Sequence, residues 1–520
     1  MIDQFALVDW LIFTSYILIL LVSGYYLNRQ PQNSQDYFLG GNKMSLWAVG
    51  ISVLATSQSA ATFLGGPDQG YRSDLSYLTS NIAAVIAAIF VAKFLLPKFY
   101  HYRVYTVYEL LGQRFGENAK YQAGLVYLMG RLFASGARLF MAAIAIAMIL
   151  FGDVDTSSVM IAIGIIACAG FVYTVYGGIR SVIYSDVLQC IIYVSAAVLV
   201  LGYLLISIPA DFSTIIEALQ SPGNGAPSKL TLIDFSVDFS SNGAFSIWSI
   251  LTGLVLLNIA AYGLDQDVSQ RMLTCKDSNS ASKALLSSIA MGIPVVLIFV
   301  CIGLLLFVYY QRPDIMLSQD GTPTPEFKGQ TVTIFMYYVL SELPQGIKAV
   351  VTIGIVAAAL STLNSGLNSM ASVAVQDIYK SWIKRGQSLS ETHLVKVGRL
   401  AMGAVAMALS LMAALCYFWQ QYTDMPLLAF ALSVMIFSYS GLLGVYFTAL
   451  FTKRGTAKSV FWALLIGFLI PVSMQPYIMT LYLPETMQFN LGFSWQLIIG
   501  TCISTLICMI GKNTNGEQGS

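Results

Sequence analysis

Apolar runs of about twenty residues recur along the whole chain, separated by short polar stretches. A helix needs roughly 20 mostly apolar residues to cross the hydrocarbon core of a bilayer. Thirteen runs meet that length, near residues 6–27, 46–66, 77–98, 121–151, 157–176, 184–207, 245–266, 281–310, 347–375, 396–418, 425–450, 458–478 and 494–511. The pattern predicts an all-α membrane protein with about 13 transmembrane helices. Residues 1–512 read as a single transmembrane domain, with no separate soluble domain, and 513–520 as a disordered tail. An odd number of spans puts the two termini on opposite sides. The longest outer segments are 208–244 and 311–346, and the second is expected to carry a short surface helix.

Composition sharpens this reading. Of 520 residues, 57% are apolar and only 10% are charged, with 27 Lys+Arg against 26 Asp+Glu. Soluble domains carry about 25% charged residues. An ordinary soluble enzyme, a disordered chain and a nucleic-acid binder are excluded, the last for want of a basic face. Loop charges set the orientation. With the N-terminus outside, the inner connections hold nineteen Lys and Arg and the outer ones five. That bias predicts an outside N-terminus and a cytoplasmic C-terminus in a plasma (inner) membrane. The seven cysteines form no CxxC pair, and all but Cys275 lie in apolar runs, so neither a disulfide framework nor a zinc site is expected. His101 and His393 fall in polar loops. The N-terminus has no signal-peptide pattern and reads as the start of the first span.

Polar residues inside the spans carry the information, because lipid satisfies no polar group. In the second span five of the seven residues from Thr56 to Thr62 are polar. Such a run weakens a helix, since hydroxyls and amides compete for the backbone. A break there frees carbonyls for a cation and amides for a solute; the alternative is a Ser/Thr helix contact. In the ninth span Ala358, Ser361, Thr362 and Ser365 share one helical face, flanked by Asn364 and Asn368. No charge occurs from Ala349 to Gln376, and uncharged hydroxyls suit a weakly held Na⁺. Small-residue packing is the competing reading. In the sixth span Asp186 follows Arg180, and is either its salt-bridge partner, a helix-terminal charge, or a cation or proton site.

Further polar residues suggest a watered path. Arg131 and Arg138 lie seven apart in the fourth span and should point inward. Asn258 and Tyr262 sit in the seventh span, followed by the polar segment 265–271. Tyr77, Ser80 and Asn81 open the third.

Four motifs, ATSQSA (55–60), YGGIRSVIYSDVLQ (176–189), GLDQDVSQR (263–271) and ALSTLNSGLNS (359–369), resemble those of the sodium/solute symporter family, in the same order and on the same helices. The resemblance spans roughly 8–455. That family couples Na⁺ to the uptake of sugars, proline, sialic acid, iodide, monocarboxylates and vitamins. It implies a LeuT-type fold of two inverted five-helix repeats, here about 46–207 and 245–450. One extra helix would precede them (6–27) and two would follow (458–511). The first helix of each repeat would break at mid-membrane.

The resemblance also implies roles. The family's common Na⁺ site maps to the carbonyls of Ala55, Gln58 and Ala358 and the hydroxyls of Ser361 and Thr362. A second Na⁺ site, present in some members, maps to Asp186, Ser361, Asn364 and Ser365, with Asn364 standing where those members have serine. Solute contacts map to Ser57, Gln58, Ser59, Thr62, Tyr77, Asn81 and Asn258. The arginine that holds the carboxylate in the sialic-acid branch maps to Arg138, with Arg131 second. Ala260 and Ala261 replace the aromatic pair of the sugar transporters, and QSA with the Pro67…Tyr71-Arg72 pattern leans toward the iodide, monocarboxylate and vitamin branch. The expected function is Na⁺-coupled symport of a small, anionic or carboxylate-bearing solute across a lipid bilayer, with no enzymatic activity and no nucleic-acid partner. A Na⁺-coupled sugar or polyol symporter, a proton-coupled carrier using Asp186, and a non-transporting sensor are the alternatives.

Overall fold

The computed structural model describes residues 6–27, 33–175, 177–223, 225–316, 326–327, 330–331, 333–384, 389–420 and 427–511. The expected tail 513–520, and Tyr176 at the head of the second motif, lie outside the described residues. Each of the thirteen apolar runs forms helix. They are α1 (Leu7–Leu27), α2 in two pieces (Leu46–Ser57 and Ala60–Arg72), α3 (Ser76–Tyr102), α4 (Glu117–Phe151), α5 (Thr156–Thr174), α6 (Gly178–Ser207) and α7 (Ile247–Leu264). Then follow α8 (Ser278–Gln311), α9 (Ile347–Ser381), α10 (Glu391–Gln420), α11 (Leu427–Phe451), α12 (Ala457–Ser473) and α13 (Phe493–Met509). Among the described residues, nine of these helices are long and apolar enough to cross a membrane, the bent α2 makes a tenth, and α1, α12 and α13 are shorter apolar helices.

The packing sorts the helices by environment. α4, α9 and α11 are enclosed by their neighbours. α10 lies at the periphery and turns Leu400, Met407, Leu411 and Leu415 outward, a spacing that makes one apolar stripe. Such stripes are where a bilayer replaces protein as the apolar neighbour.

The segments between the spans contain more helix than their sequence suggested. Asp36 and Tyr37 sit in a helix at Ser34–Leu39, capped by the Asn33 side chain. Others run over Glu109–Phe115 and Phe212–Gln220. The surface helix expected within 311–346 is instead two helices, Pro313–Met316 and Ile334–Ser341. The second is not on the surface. Its Ile334, Phe335, Met336 and Tyr338 are buried, and Phe335 packs 5.8 Å from Phe63 on the outer piece of α2. Four apolar side chains in eight residues are cheaper to bury against α2 than to leave in water. A two-residue β pairing, Glu326–Phe327 with Gln330–Thr331, precedes it.

The outer piece of α2 lies backbone to backbone on α8. A Cβ placed on Gly303 would sit 2.1 Å from the Pro67 carbonyl oxygen and 2.7 Å from the Tyr71 amide nitrogen. Backbone atoms cannot swing aside as side chains do. Gly303→Ala is therefore expected to cost about 1–3 kcal/mol by overpacking, read as a lower melting temperature of the detergent-purified protein. Gly164→Ala, where an added Cβ meets nothing within 4 Å, is the control and should melt as the parent does.

Candidate functional site

The polar run of α2 does break the helix. Gln58 adopts extended backbone (φ −89°, ψ 119°), and the two pieces meet at 59°. The local bonds explain why the break is stable. Ser59 caps the outer piece, its hydroxyl accepting from the Thr62 amide while its own amide donates to Thr62 Oγ1. In an unbroken helix the amides of Ser59 and Thr62 would bond the carbonyls of Ala55 and Gln58. Their diversion leaves those two carbonyls without helical donors. These are the two carbonyls singled out from sequence.

α9 brings the rest of that oxygen set. Ala55 and Ala358 belong to one buried apolar cluster, and Thr56 Oγ1 lies 3.3 Å from Ser365 Oγ, so α2 and α9 meet at this level. Thr362 donates to the Ala358 carbonyl (3.1 Å) and Ser361 donates to Asp186 Oδ1 (2.8 Å). With both protons directed elsewhere, the two hydroxyl oxygens keep lone pairs to offer.

A second break follows in α7, at Asp265 (φ −82°, ψ 117°). The seventh span was expected to end near 266 and give way to a loop. Instead a helix, Gln266–Leu273, continues past the break, and all eight of its residues are buried. Two π-helical turns, Ile250–Leu254 and Ala260–Leu264, precede it. Arg271, counted among the inner loop charges by sequence, lies in the interior. Its polar surroundings explain how. Asp265 caps the helix by accepting from the Asp267 amide (2.9 Å). Arg131 of α4 donates to Asp265 (2.8 Å) and to Asp267, and Tyr439 of α11 donates to Asp265 (2.6 Å). Arg271 donates to Asp267 (3.1 Å) and to Asp186 of α6 (2.8 Å). A buried charge survives only with such partners. Arg180, the expected neighbour of Asp186, is exposed at the surface.

Between the breaks lies a cavity of about 180 Å³. It reaches from Tyr77 and Phe245, whose rings are 4.9 Å apart at the outer ends of α3 and α7, down to Asp265. The buried helix 266–273 closes that inner end. All eight residues mapped as solute contacts line it: Ser57, Gln58, Ser59, Thr62, Tyr77, Asn81, Arg138 and Asn258. Asn258 and Asn81 turn amide protons onto the carbonyls of Leu254 (2.9 Å) and Leu78 (2.8 Å), which leaves their side-chain oxygens as acceptors. The Gln58 side-chain oxygen has no hydrogen-bond partner among the described residues.

Both arginines of α4 also line the cavity, but their surroundings differ. Arg131 is neutralised by Asp265 and Asp267. Arg138 meets no carboxylate within salt-bridge distance among the described residues, and it donates only to the Met435 sulfur (3.1 Å), a weak acceptor. Of the second mapped set, Asp186, Ser361 and Ser365 converge on Arg271, whose Nη2 also donates to Ser365. Asn364 does not join them by a hydrogen bond, and both its amide atoms are buried without a partner. Sequence reasoning missed Asp265, Asp267, Arg271 and Tyr439 as members of the site. The signal was present in the two acids and one arginine of 265–271, but the end of the apolar run made them look like a loop.

Comparison with known proteins agrees with this geometry. The family model described as "Sodium:solute symporter family" matches residues 37–467. The sodium/sialic acid symporter NanT of Aliivibrio fischeri is 25% identical, over 99% of this chain and 96% of its own. The sodium/glucose cotransporter of Vibrio parahaemolyticus is 26% identical, over 96% and 91%. A solved substrate-bound, outward-open state of a Na⁺-coupled sialic acid symporter matches with a TM-score of 0.80 over 97% of both chains, at 22% identity. That likeness establishes the LeuT-type fold expected from the sequence. The match over 37–467 makes the chain a member of the sodium:solute symporter family, a multi-pass membrane protein that couples solute transport to Na⁺ and is not an enzyme.

Proposed function

We propose that this symporter imports a small anionic, carboxylate-bearing organic solute together with Na⁺. Arg138 carries the reading. A guanidinium in an enclosed cavity with no acid beside it is costly, and a solute carboxylate supplies the missing charge in a two-pronged geometry that suits arginine. A neutral sugar or polyol would leave that charge uncompensated. The names of relatives that carry sialic acid and monocarboxylates are consistent with this choice.

Na⁺ is assigned to the carbonyls of Ala55, Gln58 and Ala358 and the hydroxyls of Ser361 and Thr362. Two carbonyls released by the α2 break and two hydroxyls with committed protons make a hard, uncharged oxygen set, which binds Na⁺ and lets it go. The oxygens come from α2 and α9, so an ion between them ties the two helices together. Ser57, Gln58, Ser59 and Thr62 border the same break from the cavity side. Ion and solute therefore stabilise the same arrangement, and their affinities are coupled reciprocally by about 1–3 kcal/mol. An inside-negative potential adds roughly 2.3 kcal/mol per net charge per 100 mV. The excess of basic residues on the inner connections survives the removal of Arg271 from that group, and supports an outside N-terminus in a plasma (inner) membrane.

The test is a thermal-shift screen of the purified protein with sialic acids, monocarboxylates, vitamins, amino acids and sugars, in Na⁺ and then in choline at constant pH. A ligand that binds only the native state raises its melting temperature. An acidic ligand should do so in Na⁺ and much less in choline. A neutral sugar as the one stabilising ligand would sink the anionic assignment. Thr362→Ala removes one oxygen of five and is expected to raise the Na⁺ needed for half-maximal stabilisation by about tenfold, equivalent to about 1.4 kcal/mol. An unchanged Na⁺ titration moves the ion elsewhere.

A further inference from the structure

We infer that Arg271 is a built-in cation occupying the place where a second Na⁺ would bind, so that this chain takes up a single Na⁺. The inference rests on the Na⁺ site assigned above. Asp186, Ser361 and Ser365 are the oxygen ligands a second ion would need, and Arg271 already uses them. Its Nη2 donates to Asp186 Oδ2 (2.8 Å) and to Ser365 Oγ. Its Nε reaches Ser52 Oγ (2.8 Å) and Asp186 Oδ2 (3.2 Å), and its Nη1 donates to the Asp267 carbonyl (2.6 Å) and carboxylate (3.1 Å). Each of the five N–H groups of the guanidinium therefore has an acceptor.

The acceptors are as fully used. Asp186 Oδ2 takes Ser52 (2.5 Å) besides Arg271, and Oδ1 takes Ser361 (2.8 Å). Arg271 and Asp186 are both fully buried. A free cation added here would give up its water beside a fixed positive charge, with no spare anionic oxygen to compensate. The remaining mapped ligand, Asn364, lies apart. Its side-chain oxygen would be 3.1 Å from a Cβ placed on Gly170 of α5.

The difference between a guanidinium and an ion is permanence. Na⁺ leaves with every cycle, whereas Arg271 is tethered to the inner piece of α7. It holds that piece to α2 through Ser52, to α6 through Asp186 and to α9 through Ser365, whether or not Na⁺ is present. The Na⁺ at Thr362 is then the single exchangeable cation. One Na⁺ with one monoanion moves no net charge.

Equilibrium binding of ²²Na⁺ to the purified full-length protein tests this without knowledge of the solute. The wild type should bind one Na⁺ per chain with a Hill slope near one. Thr362→Ala should lose affinity for that ion. Asp186→Asn should still bind one, because its carboxylate serves Arg271 and not Na⁺. Two Na⁺ per wild-type chain overturn the inference while leaving the Thr362 site standing. A fall from one to none in a folded Asp186→Asn protein also overturns it. No Na⁺ bound by the wild type would overturn the underlying site assignment instead. The wild-type count is decisive even where Asp186→Asn fails to fold.

Discussion

Arg138→Gln should abolish binding of the acidic solute and leave a folded protein that still responds to Na⁺. Losing one partner of an enclosed charge pair costs about 2–5 kcal/mol, which weakens binding by roughly 30-fold to several thousand-fold. The fold should tolerate the change, because no acid in the described structure depends on Arg138 and its one donation goes to the Met435 sulfur. Glutamine keeps the length of the side chain and a hydrogen-bonding end but no charge. The comparison is the ligand-induced and the Na⁺-induced rise in melting temperature, parent against variant. A solute shift of undiminished size would assign the carboxylate to another residue.

Arg131→Met, one helical face away on the same α4, should have the opposite outcome. Arg131 is buried and donates to both Asp265 and Asp267. Its removal leaves Asp265 with only the Tyr439 hydroxyl and the Asp267 amide, and breaks half the partnership of Asp267. Breaking a buried pair by deleting one member costs about 3–5 kcal/mol, because the surviving charge stays desolvated. The variant should melt at a lower temperature and yield less monodisperse material on size exclusion, with or without solute. Adding Asp265→Asn should recover part of the loss, since it removes one stranded charge. A melting temperature equal to the parent's would show that the Arg131 pairs contribute nothing to stability.

The paired results would separate two residues that the sequence alone treats as equivalent. Both are arginines in one apolar run, seven positions apart, and both must point inward. Nothing local to α4 says that one meets two acids and the other none. Those acids lie 134 and 136 positions along the chain from Arg131, in a segment that looks like an ordinary cytoplasmic loop. The same limit applied to Asp186. Its sequence neighbour Arg180 is the obvious partner, yet the residue that reaches it is Arg271, 85 positions away.

The local pattern of residues was enough to determine the thirteen apolar helices, the break in α2 and the hydroxyl face of α9. A bilayer imposes length and apolarity on each span separately, and five polar residues in seven disrupt a helix through their own backbone; both are short-range effects. The eight solute-facing positions were legible through the motifs that surround them, and the cavity gathers all eight. The extension of α7 past Asp265, the burial of helix 334–341, the free state of Arg138 and the role of Arg271 were decided by the tertiary structure. Each depends on which helices lie against one another. In a low-dielectric interior, charge is stabilised by whatever opposite charge packing brings within a few ångströms, and separation along the chain does not report that.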